Sequence, residues 1–258
     1  MRRWFFPLLA TLLVTGCLDL QTTVVLQRDL SGTAVMNAGV DMEPMVYLMA
    51  SVGKAFEGKS GPPTEQELAD ARQELLAEQG QEAFDPDEIK ADAARDLPEG
   101  VELVEITRQE EGLKTTYRMQ FTFDDVRKLQ QVDLSGAAGP PDEYSPEAEM
   151  QNEMSSPFSE LTLVDEGSTW LLKSPPMNPV AGSEERMGVF GGMEGMKGML
   201  DRIFSGLKIT FVIEVATGVV AHNATRVEGG RLTWVFDYAT LKQTTAGPDE
   251  GMWVRFKK

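Results

Sequence analysis

The sequence predicts an α+β fold, with a mainly antiparallel sheet built from β-hairpins and several short amphipathic helices. Apolar residues alternate at period two in several short segments, as in half-buried strands. Turn signals containing glycine separate neighbouring extended segments, as in hairpins. The strands do not alternate regularly with helices as they do in parallel βαβ proteins, so pairing between sequence neighbours is the better prediction.

The extended segments are expected to pair with their neighbours along the chain. In the first segment, Val24 and Leu26 lie on one face and Val25 on the other. The predicted pairs are residues 21–28 with 33–37, 101–107 with 113–123, 160–164 with 169–173, and 219–226 with 231–238. Residues 207–215 form a further strand, and residues 253–256 are expected to close a sheet edge.

Most of the helical signals lie between the first two hairpins. Thr64 and Glu67 form a capping box, in which each side chain can bond the other residue's backbone N–H. Asp85 and Pro86 are typical of the start of a helix. The predicted helices cover residues 44–56, 64–79 and 85–97, and a further short helix is capped by Asp124.

The chain is expected to consist of a signal peptide and one α+β domain in two parts. Residues 17–134 hold the first hairpins and the helices. Residues 159–258 form a β-rich part with a methionine-rich helix. Residues 135–158 are rich in proline, glycine and acidic side chains, a composition typical of a long loop.

Residues 1–16 have the pattern of a secretory signal peptide. Arg2 and Arg3 form a basic start, and a mainly apolar run extends over residues 4–14. A membrane-spanning helix needs about 20 apolar residues, so this run is too short to span a bilayer. The segment therefore predicts export of the chain.

The signal peptide ends in Leu13-Val14-Thr15-Gly16-Cys17, which resembles the lipobox of bacterial lipoproteins. The resemblance implies cleavage before Cys17, lipid and fatty acyl groups on that cysteine, and attachment to a membrane through them. Leu18 follows the cysteine. In a two-membrane envelope this residue implies sorting to the outer membrane, facing the periplasm.

Composition argues against several classes of partner and cofactor. Removal of Arg2 and Arg3 with the signal peptide changes the formal net charge from −17 to −19, which disfavours nucleic-acid binding. Cys17 is the only cysteine, so the fold does not rely on disulfides. His222 is the only histidine, which excludes Cys–His catalysis and multi-histidine metal sites. We interpret His222 as a structural strand residue and expect no enzyme activity, no metal and no cofactor.

A methionine-rich segment near residues 191–204 is the candidate contact surface for a ligand or partner. Six apolar side chains there fall on one face of a helix: Met193, Met196, Met199, Leu200, Ile203 and Phe204. Methionine suits adaptable apolar grooves, so lipid or protein contact is the preferred interpretation. The three thioethers could instead hold Cu(I), which soft ligands select.

Three stretches resemble LppM-type lipoprotein domains. Residues 22–33 (TTVVLQRDLSGT), which follow the anchor, are similar to the start of such domains. Residues 219–224 (VVAHNA) and 229–234 (GGRLTW) are similar to their closing hairpin. The resemblance implies an α+β lipid-contacting domain with no catalytic residues to carry over.

Together these features predict a non-enzymatic, membrane-anchored lipoprotein of the cell envelope. It is expected to bind an apolar ligand such as a lipid, or an envelope protein partner. Two alternatives stay open at this point: a periplasmic Cu(I)-binding protein that uses Met193, Met196 and Met199, and a glycan-acting enzyme that uses a pair of carboxylates.

Overall fold

A computed structural model describes residues 18–56, 58–59, 61–79, 85–132, 158, 161–175, 205–243 and 251–258. It confirms the α+β class with mostly antiparallel pairing. The strands are β1 (Leu18–Leu26), β2 (Gly32–Asp41), β3 (Val101–Glu111), β4 (Lys114–Phe123), β5 (Thr162–Asp165), β6 (Thr169–Lys173), β7 (Lys208–Val215), β8 (Val219–His222), β9 (Arg226–Glu228), β10 (Arg231–Asp237) and β11 (Trp253–Lys257). The helices are α1 (Glu43–Phe56), α2 (Glu65–Gln79), α3 (Pro86–Asp96) and α4 (Tyr238–Gln243), with a 3-10 helix at Val126–Gln131. No helix in the described part of the chain is long and apolar enough to span a membrane.

The described strands form two sheets. The larger has the order β3-β4-β2-β1-β7-β10-β9, and the smaller has the order β5-β6-β11-β8. β1 and β7 run parallel, with Leu20 beside Ile209 and Val24 beside Ile213. The two predicted parts of the chain therefore meet inside one sheet.

The two sheets share an apolar core. Phe121 of β4 and Phe211 of β7 face it from the larger sheet, and Leu172 and Phe256 face it from the smaller one. Phe158 is fully buried in the same core, with its ring edge toward Phe121 and 6.4 Å between the ring centroids. Each such side chain contributes about 1.5–3 kcal/mol when it is removed from water. The last residue of the predicted loop 135–158 is therefore a core residue.

Helices α1 and α2 form an antiparallel hairpin with the predicted capping box. The backbone N–H of Thr64 donates to the carboxylate of Glu67 at 2.7 Å, and the N–H of Glu67 donates to the Thr64 hydroxyl at 3.3 Å. The Thr64 N–H and hydroxyl both donate to the Glu67 carboxylate, and these two bonds lower the pKa of that carboxyl. Asp85 caps α3 in the predicted way by accepting from the N–H groups of Asp87 and Glu88.

Three sequence predictions were wrong in detail. Residues 219–226 are not one strand, because β8 pairs with β11 in the smaller sheet while β9 pairs with β10 in the larger one. Residues 253–256 do not close an edge, since β11 lies between β6 and β8. The helix after β4 is a 3-10 helix, and it is capped by Asp125 and not by Asp124. The Asp125 carboxylate accepts from the N–H of Arg127 at 2.9 Å, while Asp124 forms an ion pair with Lys128.

Candidate functional site

The residues singled out from the sequence as sites lie outside the described part of the chain. They are Cys17, Met193, Met196, Met199, Leu200, Ile203 and Phe204. The structure does describe Leu18, the residue after the predicted lipidation site, as the first residue of β1. The site built below comes from residues that the sequence analysis did not select.

The smaller sheet has an apolar inner face and a mixed outer face. Side chains alternate between the two faces of a strand, so Leu172 and Val254 point into the core and their neighbours point outward. The outward residues pair across the strands, with Val164 beside Leu171, Leu171 beside Arg255, and Arg255 beside Ala221. On this outer face, β6 and β11 present one aromatic and three cationic side chains, Trp253, Lys173, Arg255 and Lys257.

A concave surface of about 390 Å³ lies at the end of this face. It is lined by Leu171, Lys173, Ser174, Gly251, Met252, Trp253 and Arg255, and we call it the Trp253 pocket. Lys173 and Trp253 are directly opposite each other on antiparallel strands, a position in which side chains make contact. The volume is within the range of small-ligand sites, which runs from about 300 to 1,000 Å³.

Close backbone packing between the end of β6 and the start of β11 forms the floor of the pocket. The N–H of Ser174 donates to the Met252 carbonyl at 2.9 Å, and the N–H of Met252 donates to the Ser174 hydroxyl at 3.1 Å. A Cβ added to Gly251 would lie 2.1 Å from the Ser174 carbonyl oxygen and 2.2 Å from that of Pro175. Glycine is therefore required at this position for the two segments to meet.

Asn223 joins this floor to the core. Its side-chain N–H donates to the Gly251 carbonyl at 2.7 Å, and its side-chain oxygen accepts from the Trp253 N–H at 2.9 Å. The same oxygen accepts from the indole N–H of Trp234 at 2.8 Å. These bonds interrupt the predicted strand 219–226 and set the position of the Trp253 backbone.

The charges on the outer face are partly paired. The Arg255 guanidinium donates to both carboxylate oxygens of Glu166, at 2.6 and 3.0 Å, and lies 6.0 Å from the Trp253 ring centroid. This pairing lowers the pKa of Glu166 and raises that of Arg255. At the edge of the sheet, Lys258 contacts both Asp165 and the Trp170 ring.

Lys173 differs from Arg255 and Lys258 in the pairing of its charge. Its ammonium group makes no ion pair or side-chain hydrogen bond with other residues of the described chain. No carboxylate is among the described residues that line the pocket. Leu171 and Trp253 therefore offer apolar contact, and Lys173 offers a positive charge beside them.

A second concave surface, of about 530 Å³, lies along the β3–β4 hairpin. Its lining is polar and includes Glu110 and Glu111. Successive side chains of a strand point to opposite faces, so these two carboxylates do not form the facing pair that glycan hydrolysis needs. Glu110 is instead paired with Arg108.

His222 and the acidic residues show no metal-binding geometry in the described part of the chain. The Nδ1 atom of His222 accepts a hydrogen bond from the Ala224 N–H at 3.1 Å, so this nitrogen has a structural role. No three His, Cys, Asp or Glu side chains are grouped to hold a metal ion among the residues described.

The sequence does contain a signal for the Trp253 pocket. The last residues, Trp253 to Lys258, combine two aromatic and three basic side chains in a chain with a net charge of −17. Residues 169–173 (TWLLK) have a similar aromatic and basic character. Nothing in the sequence shows that these segments, about 80 residues apart, are adjacent strands.

The chain is similar in fold to solved structures. No protein-family description matches the chain. No curated protein matches it. Among solved structures, the chain is similar to the folded domain of LppM from Mycobacterium tuberculosis, determined by NMR, with 10% sequence identity and a TM-score of 0.44 over 94% of this chain and 91% of that chain.

Proposed function

We propose that this chain is a non-enzymatic lipoprotein of the bacterial cell envelope that binds an amphiphilic ligand in the Trp253 pocket. The ligand has a large apolar part and an anionic group, as in a fatty acid or an acidic lipid. The observation that carries this proposal is the position of Lys173, which is directly opposite Trp253 at the pocket.

The apolar residues supply most of the binding free energy in this proposal. Burial of apolar surface contributes about 25 cal/mol for each Å² removed from water. A solvent-exposed ion pair contributes only about 0–1 kcal/mol. Lys173 therefore mainly orients the ligand and selects an anion, while Leu171 and Trp253 hold its apolar part.

The lipobox supports the anchoring half of the proposal. Leu13 to Gly16 precede Cys17 in the order that lipoprotein signal peptides use, and β1 begins at the next residue. The folded domain is therefore held against the membrane with almost no linker. Leu18 after the cysteine favours the outer membrane, with the domain facing the periplasm.

Ligand binding is tested on the mature lipoprotein in detergent, titrated with a dansyl-labelled fatty acid. We expect Trp253→Ala and Lys173→Gln each to weaken binding about fivefold or more, because each removes one of the two contacts. Lys257→Gln is the matched control, since Lys257 is an exposed cation on the same strand as Trp253 but does not line the pocket. Equal affinity of the native protein and its three variants would refute the Trp253 pocket as the binding site. Specific binding of an envelope protein in place of the fatty acid would refute the proposal that the ligand is an amphiphilic small molecule.

Anchoring is tested separately by metabolic labelling. Cys17→Ser should prevent incorporation of radioactive fatty acid and should leave the precursor uncut, because serine cannot form the thioether. Normal labelling of this variant would refute the lipoprotein proposal. After density separation of membranes, we expect the native protein in the outer-membrane fraction, and recovery with the inner membrane would refute the proposed sorting.

A further inference from the structure

Two cationic side chains lie on a diagonal of the outer face at the Trp253 pocket. Lys173 is directly opposite Trp253, and Arg255 is two residues further along β11, directly opposite Leu171. Residues on such a diagonal are about 7–8 Å apart, which is within reach of long side chains. A phosphate group placed over Leu171 and Trp253 is therefore close enough to contact both cations.

Glu166 already binds the second of these cations. The Nε atom of Arg255 donates to one oxygen of the Glu166 carboxylate at 2.6 Å, and a terminal nitrogen donates to the other oxygen at 3.0 Å. A guanidinium binds a phosphate group through the same pair of parallel hydrogen bonds. The Glu166 carboxylate therefore occupies the donors that a second negative charge of a ligand would need.

The β5–β6 turn holds Glu166 in this position. Its backbone N–H donates to the Thr169 carbonyl at 3.0 Å, and the Thr169 hydroxyl donates to its carboxylate at 3.2 Å. The hydrogen bonds from Arg255 lower the pKa of the Glu166 carboxyl, so it is ionised at neutral pH. The negative charge beside Arg255 is therefore a fixed feature of the folded chain.

The neighbouring charges do not change this pairing. Asp165, which precedes Glu166 in the turn, forms an ion pair with Lys258 at 2.5 Å. Lys257 is directly opposite Thr169 and four residues along β11 from Trp253, a distance of about 13 Å. Among the described residues that line the pocket, Lys173 is therefore the cation available to a ligand.

We infer that Glu166 limits the Trp253 pocket to ligands that carry a single negative charge. This inference rests on the proposed function of the pocket. Lys173 compensates one negative charge, whereas the second charge of a phosphomonoester would meet an Arg255 that is already paired. A charge removed from water without compensation is costly. The pocket therefore prefers singly charged amphiphiles to phosphomonoesters.

The test compares decyl phosphate with its methyl ester, which share the alkyl chain and the phosphate group but differ in charge. At about pH 8 a phosphomonoester carries nearly two negative charges, and its methyl ester carries one. Each compound competes with the dansyl-labelled fatty acid for the mature lipoprotein in detergent. The measured quantity is the ratio of the affinity for decyl phosphate to that for the methyl ester, because the detergent affects this ratio equally in every variant.

Glu166→Gln should raise this ratio about fivefold, since the released Arg255 gains an ion pair with the second charge and a partly exposed pair contributes up to about that factor. Asp165→Asn is the matched control. It removes the same charge from the same turn but leaves the Arg255 pair intact, so the ratio should stay at the native value. Arg255→Gln added to Glu166→Gln should return the ratio to the native value.

Three outcomes would overturn the inference: an unchanged ratio in Glu166→Gln, an equal rise in Asp165→Asn, or a raised ratio that persists in the double variant. Each of them leaves the proposed function intact if the dansyl-labelled fatty acid still binds and Lys173→Gln still weakens its binding. Failure of the native protein to bind the dansyl-labelled fatty acid would overturn the proposed function and the inference together.

Discussion

The side-chain oxygen of Asn223 accepts a hydrogen bond from the indole N–H of Trp234 at 2.8 Å, which connects the core of the larger sheet to the floor of the Trp253 pocket. The same side chain bonds the Trp253 N–H and the Gly251 carbonyl. Its donor and acceptor atoms are therefore both satisfied, and the two sheets are held together by a polar contact as well as by the core.

Removal of this amide should destabilise the domain. Asn223→Ala leaves the Trp234 and Trp253 N–H groups without their acceptor, and an unsatisfied buried donor costs about 1–3 kcal/mol. We expect a loss of about 2–3 kcal/mol in the free energy of unfolding, measured by urea denaturation. Asn37→Ala, in the middle of β2, should change it by less than about 1 kcal/mol. Equal effects of the two changes would show that the Asn223 contacts are weak.

A single methyl group at Gly251 should disrupt the pocket floor. The added Cβ would meet the carbonyl oxygens of Ser174 and Pro175 at 2.1 and 2.2 Å, so the backbone must move. Overpacking of this kind costs about 1–3 kcal/mol, and we expect Gly251→Ala to lower the melting temperature and weaken ligand binding together. Gly218→Ala is the control, because its Cβ would come no closer than 3.7 Å to the flexible Lys257 side chain. A stable Gly251→Ala protein with native binding would contradict this account.

Thr22 is a place where substitution should stabilise the fold. Its side chain is fully buried in β1, and its hydroxyl has no hydrogen-bond partner among the described residues. Valine has nearly the same shape, so Thr22→Val removes the cost of an unpaired hydroxyl and should raise the free energy of unfolding by about 1 kcal/mol. Thr23→Val, on the opposite and half-exposed face, should change it by less than about 0.5 kcal/mol. A destabilised Thr22→Val protein would mean that the hydroxyl is well accommodated.

The Arg255–Glu166 pair should be visible in a pH titration. The guanidinium lowers the pKa of the Glu166 carboxyl below its ordinary value of about 4.3. A lowered pKa in the folded state means that the pair stabilises the fold above the ordinary pKa and that this effect disappears as the pH falls through the lowered one. NMR of the side-chain carboxyl should give a pKa that rises in Arg255→Gln. Lys257→Gln should not change it, and an unchanged value in Arg255→Gln would show that another group causes the shift.

Local features of the fold could be predicted because they depend on residues close together in the chain. The alternation of Val24, Leu26 and their neighbours specified β1, and Thr64 with Glu67 specified the start of α2. The correction at Asp125 is also local: two adjacent aspartates offered two possible caps, and the sequence pattern did not distinguish them. These signals predict elements and turns, but they do not say which strands lie side by side.

The sequence by itself determined the α+β class and most of the hairpins, because each depends on neighbouring side chains, and its short motif at Cys17 predicts a lipobox. Only the tertiary structure decided that β1 pairs with β7 and that residues 219–226 divide between two sheets. It also brought Lys173 beside Trp253. Those contacts join residues that are far apart in the chain, and they form because burial of the shared core compensates the entropy cost of closing such long loops.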